Sequence, residues 1–505
     1  MMRVRILFCI VAASTAAWTA ACGAPATVAR QAAPTPAAPP RAVTALQALD
    51  QSAALRRDPS VDAALADIDP ARIRRIDSML VSFGTRNSFS DTLSSTRGIG
   101  AARRWIFSEL QRYSRDCGGC LRVEYNSQVQ AVARAQGREV NIVDVLAWLP
   151  GRDTSRVVVM SGHYDSCVCG MPGGGNDSVS TAPGADDDGS GASAVVELAR
   201  VFSARYPKGL AATVIFVTVA AEEQGLLGAR QLAEWLHEHH YAVVAGMTDD
   251  IVGNVVAANG YTDSTSMRIF AADPDNSPSR ELGRYVWSLD RVYLPNFQVV
   301  PVWRLDRIGR GGDHEPYVAL GDAGLRFTER VENYNRQHLP TDDFAHVNFG
   351  YVANVARVNA ITVASLAAAP ATPANARATR QGRAGPPTAG SAAPSSSGGQ
   401  AWTLSWDASP GATGYELLVR RTTSPIWEEI IPLGTVTRCT LARQLDDEWA
   451  GVRAVGPGGA RSMAASMPAA AAPVRNDGTS AAGRAAPPAR GQPAGPPPPA
   501  CGAGP

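Results

Sequence analysis

The sequence predicts a mixed α/β fold, with a mostly parallel central sheet flanked by helices, followed by a small all-β sandwich. Three observations predict it. The apolar runs 157–160 (VVVM) and 213–219 (TVIFVTV) have the uninterrupted character of strands buried on both faces. Stretches with apolar residues at helical spacing alternate with these runs, which is the order of a parallel sheet covered by helices. From about residue 401 the pattern changes to short β-type runs separated by turn signals.

The chain has 505 residues and a formal net charge of +1, which points to two or three domains and carries no basic footprint for nucleic acid. At the N-terminus Arg3 and Arg5 precede an apolar run from Ile6 to about Ala21, followed by small residues. That is a secretory signal over residues 1–22, too short for a comfortable membrane span. It ends Thr19-Ala20-Ala21-Cys22, which resembles a bacterial lipobox with Thr19 where a large aliphatic residue is usual. Lipidation of Cys22, with membrane attachment, and simple cleavage with release are both open. Either way the protein is expected outside the cytoplasm, as a periplasmic, outer-surface or secreted protein. No other segment reads as a membrane span.

Residues 23–69 are an Ala/Pro-rich tether leading into a weakly helical segment. From Pro70 the pattern firms. Ile73, Ile76, Leu80 and Val81 make one helical stripe, and Trp105, Ile106, Leu110 and Tyr113 another. Residues 121–125 and 141–149 read as strands, and helices are expected from Ser190 and from about Gly225 to His237. A helical end closes the ordered body, 70–368, near Ala368. Residues 369–400 are a Pro/Ala/Ser/Gly-rich linker. Residues 401–470 carry the β-type runs; Trp406, Tyr415 and the stretch 452–455 resemble a fibronectin type III domain. Nothing in those residues names a ligand. Residues 471–505 are expected to be disordered.

Export permits disulfides. Of eight cysteines, Cys9 lies in the signal. Cys117 and Cys120 flank two glycines and suit a tight bridge, whereas Cys167 and Cys169 have one residue between them, a spacing that strains one. Cys439 and Cys501 have no evident mates. A thiolate zinc cluster is disfavoured because exported thiols oxidise.

Residues 182–191 read APGADDDGSG, three aspartates among glycines immediately before an apolar helix. Unpaired carboxylates are costly to bury, so their position beside a core helix suggests a hard cation. The strand 157–160 runs into His163, with Asp165 two residues on to hold the ring. The strand 213–219 runs into Glu222 and Glu223, a pair that can divide metal binding from proton transfer. Asp250, Asp313-His314 and the segment from Asn333 to Asp342 supply further acids and imidazoles. Four or five O and N donors without a thiolate suit two zinc ions.

Taken in order, GHYDS, APGADDDGSG, AAEEQGLLG, DDIVG, GGDH and QHLPTD resemble the bacterial co-catalytic zinc aminopeptidases of the MH clan, over about residues 73–368. The resemblance implies two Zn2+ ions bridged by Asp187, one completed by His163 and Asp250, the other by Glu223 and His338. It implies Glu222 as general base and a cis peptide bond between Asp187 and Asp188. Asp165 and Asp342 would orient His163 and His338. Leu339 and Asp343 stand where the family has threonines, which alters the pocket rim. Asp313 and His314 are read as pocket or network residues, with Tyr334 a candidate helper at the oxyanion. The activity implied is removal of N-terminal residues from peptides. A carboxypeptidase or dipeptidase is the rival, with Arg310 as the cation for a substrate carboxylate; a binding protein without catalysis is the other. No G-x-S-x-G elbow and no HExxH helix is present.

Overall fold

The computed structural model describes residues 57–381, 401–468 and 498–502. The signal and lipobox, the tether, the centre of the linker and most of the C-terminal tail lie outside the described residues.

The larger body is an eight-stranded sheet of order β1-β2-β4-β3-β5-β8-β6-β7. Its strands are β1 (Arg122–Val132), β2 (Arg138–Leu149), β3 (Asp153–His163), β4 (Ala212–Val219), β5 (Ala242–Asp249), β6 (Ser266–Ala271), β7 (Gln298–Val302) and β8 (Gly324–Glu329). The central strands β4, β3, β5 and β8 are mutually parallel. Antiparallel pairing appears towards the edges, where β1 pairs with β2, β2 with β4, and β6 with β8. The strand period of two divides the apolar residues between two cores. Val158, Met160, Val214 and Phe216 face one layer of helices, and Val157, Val159, Ile215 and Val217 face the other.

The first layer holds α1 (Pro59–Asp67), α2 (Pro70–Ser82), α3 (Gly98–Asp116), α4 (Gly191–Arg205), α6 (Pro278–Tyr293) and α8 (Phe349–Ala368); α5 (Leu227–Glu238) and the short α7 (Glu315–Ala319) cover the opposite face. Several helix starts are written locally. Asp58, Asp69 and Ser277 accept backbone N–H groups at the starts of α1, α2 and α6, each with proline just inside. Helix α8 is long and apolar enough to cross a membrane, yet Val352, Val355, Ile361 and Val363 are buried in the core.

Two expectations are corrected, and one boundary moves. The weakly helical segment before residue 70 is a helix, α1, whose Val61, Ala64 and Leu65 pack on the body; so few apolar residues left its periodicity weak. The expected linker contains strand β9 (Arg377–Arg380), which pairs with β10 (Ala401–Ser405). Arg-Ala-Thr-Arg shows no apolar alternation because β9 lies at a sheet edge and buries only Ala378. The C-terminal tail, expected to be disordered, returns at residues 498–502: Cys501 is bonded to Cys439, and Thr440 N–H donates to the Pro499 carbonyl at 2.7 Å.

The remaining strands are β11 (Gly414–Arg421), β12 (Glu429–Gly434), β13 (Arg438–Ala442), β14 (Glu448–Val455) and β15 (Ala465–Met467). With β9 and β10 they form two antiparallel sheets, β13-β10-β9 and β12-β11-β14-β15. Trp402, Trp406, Tyr415 and Leu417 lie in the core between them. Cys117–Cys120 and Cys167–Cys169 are bridged as well, so single-residue spacing did not prevent a bond.

Candidate metal centre

Parallel strands bring their carboxyl ends to one edge of the sheet, and here that edge gathers the acids. His163 ends β3 opposite Val219 of β4, so Glu222 and Glu223 follow directly beside it. Ser161 pairs with Thr248 of β5, which brings Asp250 to the same edge. Asp187 enters from the irregular helical turn Ala185–Ser190 leading into α4, and the Asp187–Asp188 peptide is cis. This close approach needs glycine. A Cβ on Gly162 would lie 2.7 Å from the Gly191 backbone, and one on Gly191 would lie 2.5 Å from the Asp188 carboxylate.

The two oxygens of Asp187 face two different imidazoles. His163 Nε2 lies 3.2 Å from Asp187 Oδ1 and 3.9 Å from Asp250 Oδ1. His338 Nε2 lies 3.0 Å from Asp187 Oδ2 and 3.3 Å from Glu223 Oε2. The Nδ1 of His163 lies 3.2 Å from the backbone oxygen of Asp165. That oxygen only accepts, so Nδ1 carries the proton and the Nε2 lone pair is free. Burial opposes a charge on His338, but Glu223 and Asp187 outweigh it and lift its pKa to about 9. Burial, reinforced by Asp250 and Asp187, pushes the Glu222 carboxyl up to about 7.

The carboxylates expected to orient the histidines act mainly elsewhere. Asp165 keeps one oxygen 3.5 Å from His163 Nδ1, but its carboxylate accepts the N–H groups of Glu222 at 3.3 Å and Glu223 at 3.4 Å. Asp342 accepts the N–H groups of Asp186 at 3.0 Å and Asp187 at 2.9 Å. Four residues after His338, it supports the aspartate turn instead of the imidazole. Asp188 accepts from the N–H groups of His163, Gly191 and Ile251. Asp186 accepts from Gly253 N–H at 2.7 Å.

Two arginines escaped the sequence reading. Arg326, buried on β8, places Nη2 2.8 Å from Asp250 and Nη1 3.1 Å from Asp306. Asp306 is thereby held well below the usual carboxylate range, against the effect of burial. Arg86, also buried, donates to the carbonyls of Tyr164, Pro183 and Gly184 and braces the entry to the aspartate turn. Both lie far in sequence from their partners. The available signal for Arg326 was a charged residue inside a strand-like run, GLRFTE.

Of the four expected pocket residues, one lines the cleft. Arg310 stands on its wall with Glu222, Glu223, Asp250 and His338, around a cavity of about 480 Å³. His314 is buried, and its Nε2 donates to the Leu305 carbonyl at 2.8 Å. Burial lowers its pKa to about 4, so it is neutral and turned into the protein. Asp313 is buried with neither carboxylate oxygen hydrogen-bonded; burial and then Glu222 push its pKa well up. Tyr334 is 60 % exposed and is not among the residues lining the cleft.

The donors fit zinc. Among the described residues His163 Nε2 and Glu223 Oε1 are buried without a hydrogen-bond partner, and Asp187 Oδ2 faces only the His338 ring, which is costly unless a cation is there. His163, Asp187 and Asp250 offer atoms within 4.8 Å of one another, as do Glu223 and His338 with the sulfur of Cys167. That sulfur is tied up in its bridge, leaving the nitrogen and oxygen donors zinc accepts.

Comparison with known proteins agrees with this chemistry. The family model described as Peptidase family M28 matches residues 144–363. A chain described as a probable zinc metalloprotease of Pyricularia oryzae is 36 % identical over 439 residues, spanning 81 % of this chain and 84 % of its own length. Another so described, from Leptosphaeria maculans, is 35 % identical over 432 residues, spanning 80 % and 96 %. Both are fungal, where the motifs resemble bacterial enzymes. Among solved structures, the LapA aminopeptidase of Legionella pneumophila is similar at 22 % identity and a TM-score of 0.49, over 62 % of this chain and 75 % of that one.

Proposed function

The chain belongs to peptidase family M28 and is a zinc metallopeptidase; from that premise we propose that it is an exported exopeptidase with two zinc ions, removing N-terminal residues from peptides. The observation that carries the two-ion reading is Asp187, whose two carboxylate oxygens face His163 on one side and His338 on the other. Bridged pairs at Cys117–Cys120, Cys167–Cys169 and Cys439–Cys501 support export, since such bonds persist in oxidising compartments. Whether Cys22 carries lipid is read from the mass of the mature N-terminus.

Zinc, when bound, supplies Lewis acidity to a carbonyl oxygen and lowers the pKa of water. The chain's own residues do the rest. Glu222 takes a proton from the attacking water and returns it to the departing amine as the C–N bond breaks. Asp165, by accepting the N–H groups of Glu222 and Glu223, sets the distance between the base and the ligand. The acids of the cleft, Glu222 and Glu315 among them, are suited to a substrate ammonium group.

A second reading, cleavage next to a free carboxylate as in a carboxypeptidase or dipeptidase, is favoured by the position of Arg310 on the cleft wall. A panel of aminoacyl-anilides, N-acetylated peptides and amidated peptides, assayed with and without chelator, separates the two. Aminopeptidase action requires turnover of amidated peptides and none of acetylated ones. The opposite pattern overturns it, and turnover that survives chelation overturns both.

A further inference from the structure

Three arginines line the cleft that holds the metal-binding acids: Arg134, Arg230 and Arg310. They arrive from separate segments, the turn after β1, helix α5, and the loop between β7 and α7. Arg134 Nη1 donates to the Glu223 carbonyl at 3.1 Å, and Arg230 Nη2 to the Gly225 carbonyl at 3.5 Å. Among the described residues none of the three forms an ion pair. Deeper in the body the arginines behave differently. Arg326 is tied to Asp250 and Asp306, and Arg268 and Arg307 to Glu332.

A guanidinium offers five N–H donors in a planar fork matched to a carboxylate. Most of those donors remain available in all three side chains. Gly225, Gly309 and Gly311 lie on this wall, with Leu226 and Glu315 the larger side chains beside them. The cavity, about 480 Å³, has the size of a short peptide. Asp187, Glu222, Glu223, Asp250 and Glu315 line the same cleft, but among the described residues none of them lies within ion-pair distance of these three arginines, so the guanidinium donors are not used by the acids.

We propose that this cleft selects peptides bearing a carboxylate close to the scissile bond, held by Arg134, Arg230 and Arg310. The carboxylate is either an acidic side chain or the free C-terminus of a short peptide. The scissile bond rests on the exopeptidase reading above; the anion site does not.

The test uses the full-length, zinc-loaded protein and four tripeptides: Leu-Glu-Gly and Leu-Gln-Gly, each as free acid and as amide. Affinity is measured by calorimetry in the Glu222→Gln background, so that binding is read without turnover. The peptides with a carboxylate are expected to bind about tenfold or more tightly than the doubly neutral one. The Glu–Gln and acid–amide differences identify the source of the carboxylate. Arg310→Gln, Arg230→Gln or Arg134→Gln should each shrink that ratio, and Arg310→Lys should restore part of it. In the chain with Glu222 intact the loss should appear in KM and not in kcat. Equal affinity for all four peptides overturns the proposal, as does a ratio unmoved by the three arginine variants together. If wild-type protein cleaves none of the four while the affinity ratio stands, the exopeptidase reading falls and the anion site remains. Cleavage of all four with equal affinity gives the reverse.

Discussion

The metal cleft and the seam between the peptidase body and the β-sandwich both bury charge, and they treat it in opposite ways. At the seam, Arg284 of α6 is 2.7 Å from Glu281 and 2.5 Å from Asp275, and Arg420 of β11 reaches Asp275 at 2.6 Å. Glu281 also accepts from Trp427 Nε1 at 2.9 Å and Ser466 Oγ at 2.8 Å. The side chains that cross the seam therefore meet partners of opposite charge or donors. At the cleft, His163, Asp187 and Glu223 keep buried atoms with no hydrogen-bond partner among the described residues, and Asp313, buried outside its lining, adds a further unbonded carboxylate. A closed network specifies how two parts dock. An open one, with acids in excess, is complete only when a cation enters.

The largest effect should come from removing the shared ligand. Asp187→Ala is expected to lose zinc and more than about 10⁴-fold in turnover. Metal analysis checks it, and a variant that retains two zinc ions would contradict the bridging role. Glu222→Gln should lose about 10²–10⁴-fold in kcat while zinc content stays at the wild-type value. Wild-type-like turnover in that protein removes Glu222 from the base role. Arg326→Met leaves Asp250 and Asp306 buried without their guanidinium and should cost about 3–5 kcal/mol in denaturant unfolding of the zinc-free protein. Because zinc also neutralises Asp250, the deficit should shrink on adding zinc; an unchanged deficit would separate Arg326 from the centre. At the seam, Glu281→Gln should cost about 1–3 kcal/mol without changing kcat, since nothing there touches the cleft. A loss of kcat in that variant would join the two regions.

A further effect concerns pH. Burial raises the Asp290 carboxyl on α6 to about 7, opposed by the Val299 N–H it accepts. A folded-state value above the unfolded one means its contribution is complete below about pH 4 and is lost as pH rises towards 7. Stability in wild type should therefore fall across that window relative to Asp290→Asn, by at most about 1.4 kcal/mol per pH unit. Parallel stability curves for the two proteins would show that this carboxyl does not titrate with folding.

Much of the centre was legible before folding because ligands at strand ends leave local signatures. His163, Glu222 and Glu223 each terminate an apolar run, and Asp187 sits among glycines ahead of a helix. Other features had no such signature. Asp342 lies four residues from His338 yet bonds the amides of Asp186 and Asp187. Tyr334 shares a loop with His338 yet faces solvent. Sequence proximity does not report which way a loop residue turns. The helix before residue 70 was faint because it offers only three buried apolar side chains, and β9 because an edge strand needs little apolar alternation.

The sequence by itself determined the α/β class, the alternation that makes the central strands parallel, and the residue types converging on one sheet edge. Those properties follow from patterns a few residues long. Tertiary structure alone decided that Arg326 steadies Asp250, that Cys501 closes on Cys439, that α6 holds the sandwich, and that Arg134 and Arg230 join Arg310 above the metal-binding acids. Each depends on segments tens to hundreds of residues apart. Their meeting is set by sheet order and packing, which no local spacing encodes.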